Sequence, residues 1–362
     1  MSTQILDDVL GAVGNTPLIR LDKVAKRHAL KCNLLGKVEF LSAGGSVKDR
    51  IAKGMVEAAE KEGRLIPGKS VVIEPTSGNT DKGYSVIITM PNKMSLEKET
   101  TLRALGAEVI RTPTEAAFDS PESHIGVAQK LEREIPYGVI LDQYGNVNNP
   151  LAHEYTTGPE IIDAVVSTPS TSSKPSSGKV DVLVATAGTG GTVTGLSRAI
   201  KKTHNKDCIV VAVDPKGSIL AFPDELNAAD KGTSYAVEGI GYDFVPDVLS
   251  RDPADVNYWV KTSDDDAFPA VQELMRSGLL VGGSSGSALS GALKWLQSEA
   301  GLEIAKTPGM NVVIVLPDGI RNYMSKPWFL NIAMNSEPSP LSVEITKILK
   351  GATSILPEKH IG

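Results

Sequence analysis

Cysteine is almost absent from this 362-residue chain. Cys32 and Cys208 stand far apart, with no C-x-x-C pair and no histidine-paired metal spacing. That excludes a disulfide framework and a zinc cluster, leaves no metal site to assign, and implies a reducing compartment. Charge of one sign is also missing: 43 acidic against 37 basic residues give a net charge of −6 with no long run of either sign. Nucleic acid and anionic membranes are therefore excluded as expected partners. No apolar run reaches membrane-spanning length, and the N-terminus is acidic at Asp7 and Asp8 where a signal or transit sequence would be basic. The expectation is a cytoplasmic protein. With 41% hydrophobic and 22% charged residues the chain has the composition of a soluble globular protein large enough for two or three domains' worth of core.

β-Branched runs at Val71–Ile73, Val86–Thr89, Val139–Asp142, Val182–Ala185, Ile209–Val213 and Val312–Leu316 alternate with stretches of helical periodicity. This is the pattern of an α/β fold with buried parallel strands. The Ser/Thr/Pro-rich tract from Ser167 to Gly178 reads as a surface loop or a disordered insert. Pro338 and Pro340 mark a linker, followed by a short amphipathic stretch at Leu341, Ile345, Ile348 and Leu349.

Three segments carry chemistry. In Gly44-Gly45-Ser46-Val47-Lys48-Asp49-Arg50 a lysine follows a glycine pair at the start of an amphipathic helix running to Lys61. Ser46 is placed to N-cap that helix, with Asp49 three residues on. The positive end of the helix dipole favours the neutral amine, so Lys48 is a candidate nucleophile toward a carbonyl cofactor; the alternative is a solvated surface lysine. Gly188-Thr189-Gly190-Gly191-Thr192 sits between a strand and the helical run from Val193 to Lys201, a layout that presents backbone N–H groups to an anion. A dinucleotide fold is the competing reading, with Asp214 near the place of a ribose-binding acid. Thr76-Ser77-Gly78-Asn79-Thr80 offers hydroxyls, an amide and backbone donors suited to an amino-acid carboxylate, or is an ordinary turn.

These segments, with Val13-Gly14-Asn15-Thr16-Pro17-Leu18 before them, occur in the order seen in the pyridoxal-phosphate β-synthases, the cystathionine β-synthase and cysteine synthase family, which the chain resembles from about Val13 to Lys326. Asp119-Ser120-Pro121-Glu122-Ser123-His124 and the segment from Val237 to Phe244 resemble the cystathionine-forming branch. The resemblance implies a fold type II enzyme with twisted, mainly parallel sheets flanked by helices. It implies a smaller domain over 38–149, a larger one built from 1–37 with 150–332, and a tail over 333–362. It assigns Lys48 and Asn79 to pyridoxal 5'-phosphate, residues Gly188, Thr189, Gly190, Gly191 and Thr192 to its phosphate, and Thr76, Ser77, Thr80 and Gln143 to the substrate. Tyr144 and Tyr242 border the site or fill a domain seam. The implied reaction is L-serine plus L-homocysteine to L-cystathionine and water, by a homodimer. Cysteine synthesis from O-acetylserine and sulfide, and a homologue that only binds cofactor, are the alternatives.

Two departures stand out against the family pattern. Only nine residues, Pro75 to Gly83, separate two strands that relatives join through a helix. A changed strand order or local disorder is expected, with weakened stability and substrate binding. In Leu316-Pro317-Asp318-Gly319-Ile320-Arg321-Asn322-Tyr323, Gly319 occupies the position of the family serine that bonds the pyridine nitrogen. The ring nitrogen then meets water or another group. No haem-binding extension and no regulatory domain pair are expected, and so no response to S-adenosylmethionine.

Overall fold

A computed structural model of the chain describes residues 5–74, 84–114, 116–334 and 339–349. The strands in chain order are β1 (Leu18–Arg20), β2 (Asn33–Val38), β3 (Val71–Glu74), β4 (Ser85–Pro91), β5 (Glu108–Thr112), β6 (Gly138–Val139), β7 (Val182–Thr186), β8 (Ile209–Pro215), β9 (Tyr258–Thr262) and β10 (Asn311–Leu316). They form a six-stranded sheet in the order β1-β2-β10-β7-β8-β9 and a four-stranded sheet in the order β5-β4-β3-β6. All pairings are parallel except that of β1 with β2.

Unbroken apolar strands require cover on both faces, and the six-stranded sheet has it. Val182 and Val184 of β7 and Val312, Ile314 and Leu316 of β10 face one core, with Val271 and Leu274 of the helix Asp264–Arg276 and Ala288, Leu289 and Ala292 of the helix Gly283–Gln297. The residues between them, Leu183, Ala185, Val313 and Val315, face the other core, with Ile161 and Val165 of the helix Gly158–Ser167 and Val193, Leu196 and Ile200 of the helix Gly191–Thr203. Each of these valine, leucine and isoleucine side chains contributes roughly 1.5–3 kcal/mol on burial, so the two cores hold the scaffold rigid. On the four-stranded sheet, Ile51, Met55 and Ala59 recur every fourth residue along the helix Lys48–Lys61 and pack with Val72, Val86 and Ile88.

A buried ion cluster ties that helix to the six-stranded body. Arg50 donates to Glu39 at 2.7 Å and to both oxygens of Glu160 at 2.7 Å. Lys37, on β2, donates to Glu160 at 2.5 Å and to the Thr16 carbonyl at 2.6 Å. Arg50 lies two residues beyond Lys48, so the cluster fixes where the lysine end of the helix stands.

The six strands read from sequence all form, with altered ends. The expected strand Val139–Asp142 shrinks to Gly138–Val139. Beyond it the Leu141 N–H bonds the Glu74 carboxylate at 2.7 Å, and Asp142 turns to φ +56°, which takes the backbone out of the ladder. β3 and β4 remain adjacent and parallel, so the changed strand order expected from the short connection does not occur. A return past a four-residue strand needs only roughly 15 Å, and nine residues reach roughly 30 Å when extended. The connection itself, 75–83, lies outside the described residues. The tract 168–178 is an exposed loop, fastened by the Ser177 N–H to the Gly309 carbonyl at 2.8 Å and by Asn33 to the Pro175 carbonyl at 2.9 Å. The amphipathic stretch near the C-terminus forms the helix Pro340–Ile348. Cys32 and Cys208 are free and buried, and burial pushes their thiols up to about 11 and about 12.

Candidate active site

Lys48 itself opens the helix, one residue later than Ser46 capping requires, and Val47 takes the cap position. Ser46 contributes differently: its hydroxyl accepts the Lys48 N–H at 3.2 Å, while the Asp49 carboxylate accepts the Gly44 N–H at 2.7 Å. The Val47 N–H donates to the Pro317 carbonyl at 2.7 Å and Ser46 forms an isolated bridge with Asp318, which lays the helix start against the segment leaving β10. Lys48 is not a solvated surface residue. Its amine is enclosed, and its pKa falls to about 8 through burial and the nearby Lys98 ammonium, with the Asp318 carboxylate opposing. Burial and a like charge therefore explain the lowered amine without recourse to the helix dipole. Asp318 is itself pushed up to about 6 by burial, against the pull of Lys98; it accepts a hydrogen bond from Tyr323 and lies 3.4 Å from the Ser284 hydroxyl.

Gly188, Thr189, Gly190 and Thr192 line the same cavity as Lys48. Gly190 caps the thirteen-residue helix Gly191–Thr203 at φ +89°, so the unpaired N–H groups of its first turn border the cleft. The loop glycines are packed from behind. A Cβ at Gly188 would stand 2.6 Å from the Gly239 carbonyl oxygen, at Gly190 2.4 Å from Leu249 Cβ, and at Gly191 1.8 Å from Asn149 Oδ1. Asn149 in turn donates to Thr189 Oγ1 at 2.9 Å and to the Gln143 carbonyl at 2.7 Å. The Thr192 hydroxyl lies 3.2 Å from His153 Nε2, whose Nδ1 lies 2.9 Å from Thr157 Oγ1. Burial, then the Arg50 and Lys48 cations, lower His153 to about 3, so it is a neutral hydrogen-bond partner.

Of the residues marked from sequence, Lys48, Gly188, Thr189, Gly190 and Thr192 meet in one cleft. Gly191 turns its Cβ direction to Asn149, and Gln143 is buried and joined to the loop through Asn149. Thr76, Ser77, Asn79 and Thr80 lie outside the described residues. Tyr144 and Tyr242 meet edge to face at 5.5 Å and both pack on Phe244, an aromatic cluster that does not line the Lys48 cavity. Asp214, the acid required by the dinucleotide reading, is fully buried in an ion pair with Lys261 at 2.6 Å and is not free for a ribose. Gly319 forms an isolated bridge with Val281, and a Cβ there would stand 3.3 Å from Phe40 Cβ. Sequence reasoning missed Lys98 and Ser284, which line the cleft, and Asn149 and His153 behind it, and gave no role to Glu238, which lay inside the quoted segment Val237 to Phe244. Asp318 lay inside a quoted motif but was passed over for its neighbour.

An amine of lowered pKa that shares a cleft with a glycine loop at a helix N-terminus suits a molecule with both a carbonyl and a phosphate, and so defines an enzyme of covalently held, phosphorylated carbonyl cofactor. A family model described as pyridoxal-phosphate dependent enzyme matches residues 9–318, and the chain belongs to that family. Its cofactor is pyridoxal phosphate and its fold is fold type II. Cystathionine beta-synthase of Rattus norvegicus is 52% identical over 335 residues, covering 90% of this chain and 56% of the relative. Proteins of the same name from Mus musculus and Dictyostelium discoideum are 47% and 52% identical, covering 99% and 89% of this chain and 66% and 61% of their own lengths. The chain thus spans between about half and two thirds of the length of these relatives. Among the described residues no helix is long and apolar enough to cross a membrane.

Proposed function

We propose that this chain joins L-serine to L-homocysteine, giving L-cystathionine and water, as a cytoplasmic homodimer serving transsulfuration. The observation that carries the reading is the Lys48 amine, lowered to about 8, lining one cavity with Gly188, Thr189, Gly190 and Thr192. Identity near 50% to proteins named cystathionine beta-synthase supports this reaction over cysteine synthesis. Bound pyridoxal phosphate supplies an electron sink for the charge left when an amino acid loses its α-proton. The chain's own residues do the rest. The N–H groups at the start of the helix Gly191–Thr203, with Thr189 and Thr192, hold the phosphate. Lys48 would hold the cofactor through its carbonyl carbon and would serve as the base for the α-proton of the bound amino acid. Asn79 is assigned to the cofactor, and Thr76, Ser77, Thr80 and Gln143 to the serine carboxylate. The smaller domain over 38–149 and the larger one from 1–37 with 150–332 meet at this cleft, with 333–362 as a tail.

The test is the visible spectrum of the chain reconstituted with pyridoxal phosphate, before and after serine, beside Lys48→Ala, followed by chromatography for cystathionine after homocysteine is added. A visible band that requires Lys48 and shifts with serine, followed by product, is expected. A band that ignores serine would favour a homologue that only binds cofactor, the reading motivated by Gly319 and the short 75–83 connection.

A further inference from the structure

We propose that Asp318 is the acid that lets the serine hydroxyl leave as water, and the base that takes the proton of the thiol replacing it. The inference rests on the β-replacement reading and adds a proton donor to it. Hydroxide is a poor leaving group, so the Cβ–O bond of serine breaks readily only if a proton reaches its oxygen. Lys48 is occupied with the α-proton in that reading, so the cleft must supply a second group.

Among the described residues three carboxyl groups line the cavity, those of Asp49, Glu238 and Asp318. Glu238 is committed to two ammonium groups, Lys98 at 2.7 Å and Lys326 at 2.6 Å. Asp49 accepts the Gly44 N–H at 2.7 Å and is spent on the turn before Lys48. Asp318 is buried and, among the described residues, has no cation at ion-pair distance. Its partners are hydroxyls: Tyr323 donates to Oδ2, and Ser284 lies 3.4 Å from Oδ1. Lys98 favours the carboxylate and Glu238 opposes it; burial prevails over the cation and both hydroxyls, leaving Asp318 at about 6, a value from which a carboxyl both gives and takes protons near neutral pH. Tyr323 is held well above its ordinary range by burial and by Asp318, so it supports the acid and does not replace it. The bridge between Asp318 and Ser46, two residues before Lys48, fixes acid and amine to one frame.

The protons balance. Lys48 takes the α-proton, the electron pair released at Cα closes onto Cβ, the Cβ–O bond breaks, and the oxygen leaves as water with the Asp318 proton. The thiol then gives its proton to Asp318 as its sulfur bonds Cβ, and Lys48 returns a proton to Cα.

The competing roles are a strut for Tyr323, or a Lys48 that ferries its own proton to the hydroxyl. The experiment uses the full chain loaded with pyridoxal phosphate, without homocysteine, and follows the rate of the spectral change with serine and with β-chloro-L-alanine, whose chloride leaves without a proton. Asp318→Asn, which keeps the shape, is expected to slow serine about 100-fold and β-chloroalanine less than about threefold. In wild type the ratio of the serine rate to the β-chloroalanine rate should fall as pH rises above about 6, because only the protonated carboxyl donates; this second reading decides the matter even where Asp318→Asn fails to hold cofactor. Equal losses with both amino acids, no loss with serine, a wild-type ratio that is flat from pH 6 to pH 8, or a wild type that consumes β-chloroalanine and ignores serine each overturn this inference alone. A wild-type chain that responds to neither amino acid overturns it together with the reading beneath it.

Discussion

Replacing Glu160 by Gln should destabilise the protein by about 3 kcal/mol at pH 7, and the size follows from the ion cluster. Burial by itself would raise the Glu160 carboxyl, but the Arg50 guanidinium and the Lys37 ammonium outweigh it and hold the group down at about 2, against an ordinary value of 4.5. The gap of roughly 2.5 pH units, at about 1.4 kcal/mol each, gives roughly 3.5 kcal/mol, which solvent screening at the partly exposed Glu160 brings to about 3 kcal/mol. Glutamine keeps the shape and removes the charge, leaving Lys37 and Arg50 facing Glu39 alone. Lys37 is already held below its usual range by burial, so it has no reserve with which to absorb the loss. Since the folded pKa is depressed, the carboxylate's contribution is complete above about 4.5 and disappears as pH falls toward 2. Urea unfolding followed by circular dichroism, for both proteins between pH 7 and pH 3, measures the difference. It should be widest at neutral pH and narrow steadily below about pH 4.5. A difference under about 1 kcal/mol at pH 7, or one that does not change with pH, refutes the assignment of the cluster as the clamp on the Lys48 helix.

Three further outcomes are expected. Gly319→Ser should tighten pyridoxal phosphate binding about three- to tenfold, the value of one net hydrogen bond, because the added Cβ needs Phe40 to yield only a few tenths of an ångström; an unchanged Kd by fluorescence titration would remove the position from the site. Capture of cofactor by the apo chain should quicken about tenfold per pH unit up to about 8 and then level, since the free Lys48 amine is the reacting species; stopped-flow rates that are flat from pH 6 to pH 8 would contradict the lowered amine. His153→Ala should weaken pyridoxal phosphate about fivefold through loss of the Thr192 contact and leave pyridoxal, which lacks the phosphate, unaffected; equal losses for both ligands would assign His153 to the fold instead.

The inner strands were legible because their runs are apolar without interruption, as in Val182–Thr186 and Asn311–Leu316, and only a sheet covered on both faces buries such runs. β2 escaped notice because Gly36 and Lys37 break its run; Lys37 is nonetheless fully buried, which its tertiary partners Glu160 and the Thr16 carbonyl make tolerable. β9 was hidden by its edge position, where Tyr258 is exposed and Lys261 interrupts the apolar run after Val260. The half of the site formed by contiguous motifs was visible, since a glycine loop and a lysine at a helix start are local signals. Lys98, Glu238 and Asp318 were not, because their roles arise only where three distant segments converge. The cause of the lowered Lys48 amine was hidden for the same reason: Lys98 is brought to it by the fold, not by the local sequence.

The packing behind Gly188, Gly190 and Gly191 has a bearing on inherited or engineered lesions. Cofactor supplied in excess rescues, by mass action, a variant whose only fault is a weaker affinity for it. A side chain at any of these three positions would collide with the Gly239 carbonyl, Leu249 or Asn149 whether or not cofactor is present. Such variants are therefore folding lesions seated at a binding loop, and feeding the cell more vitamin would not correct them.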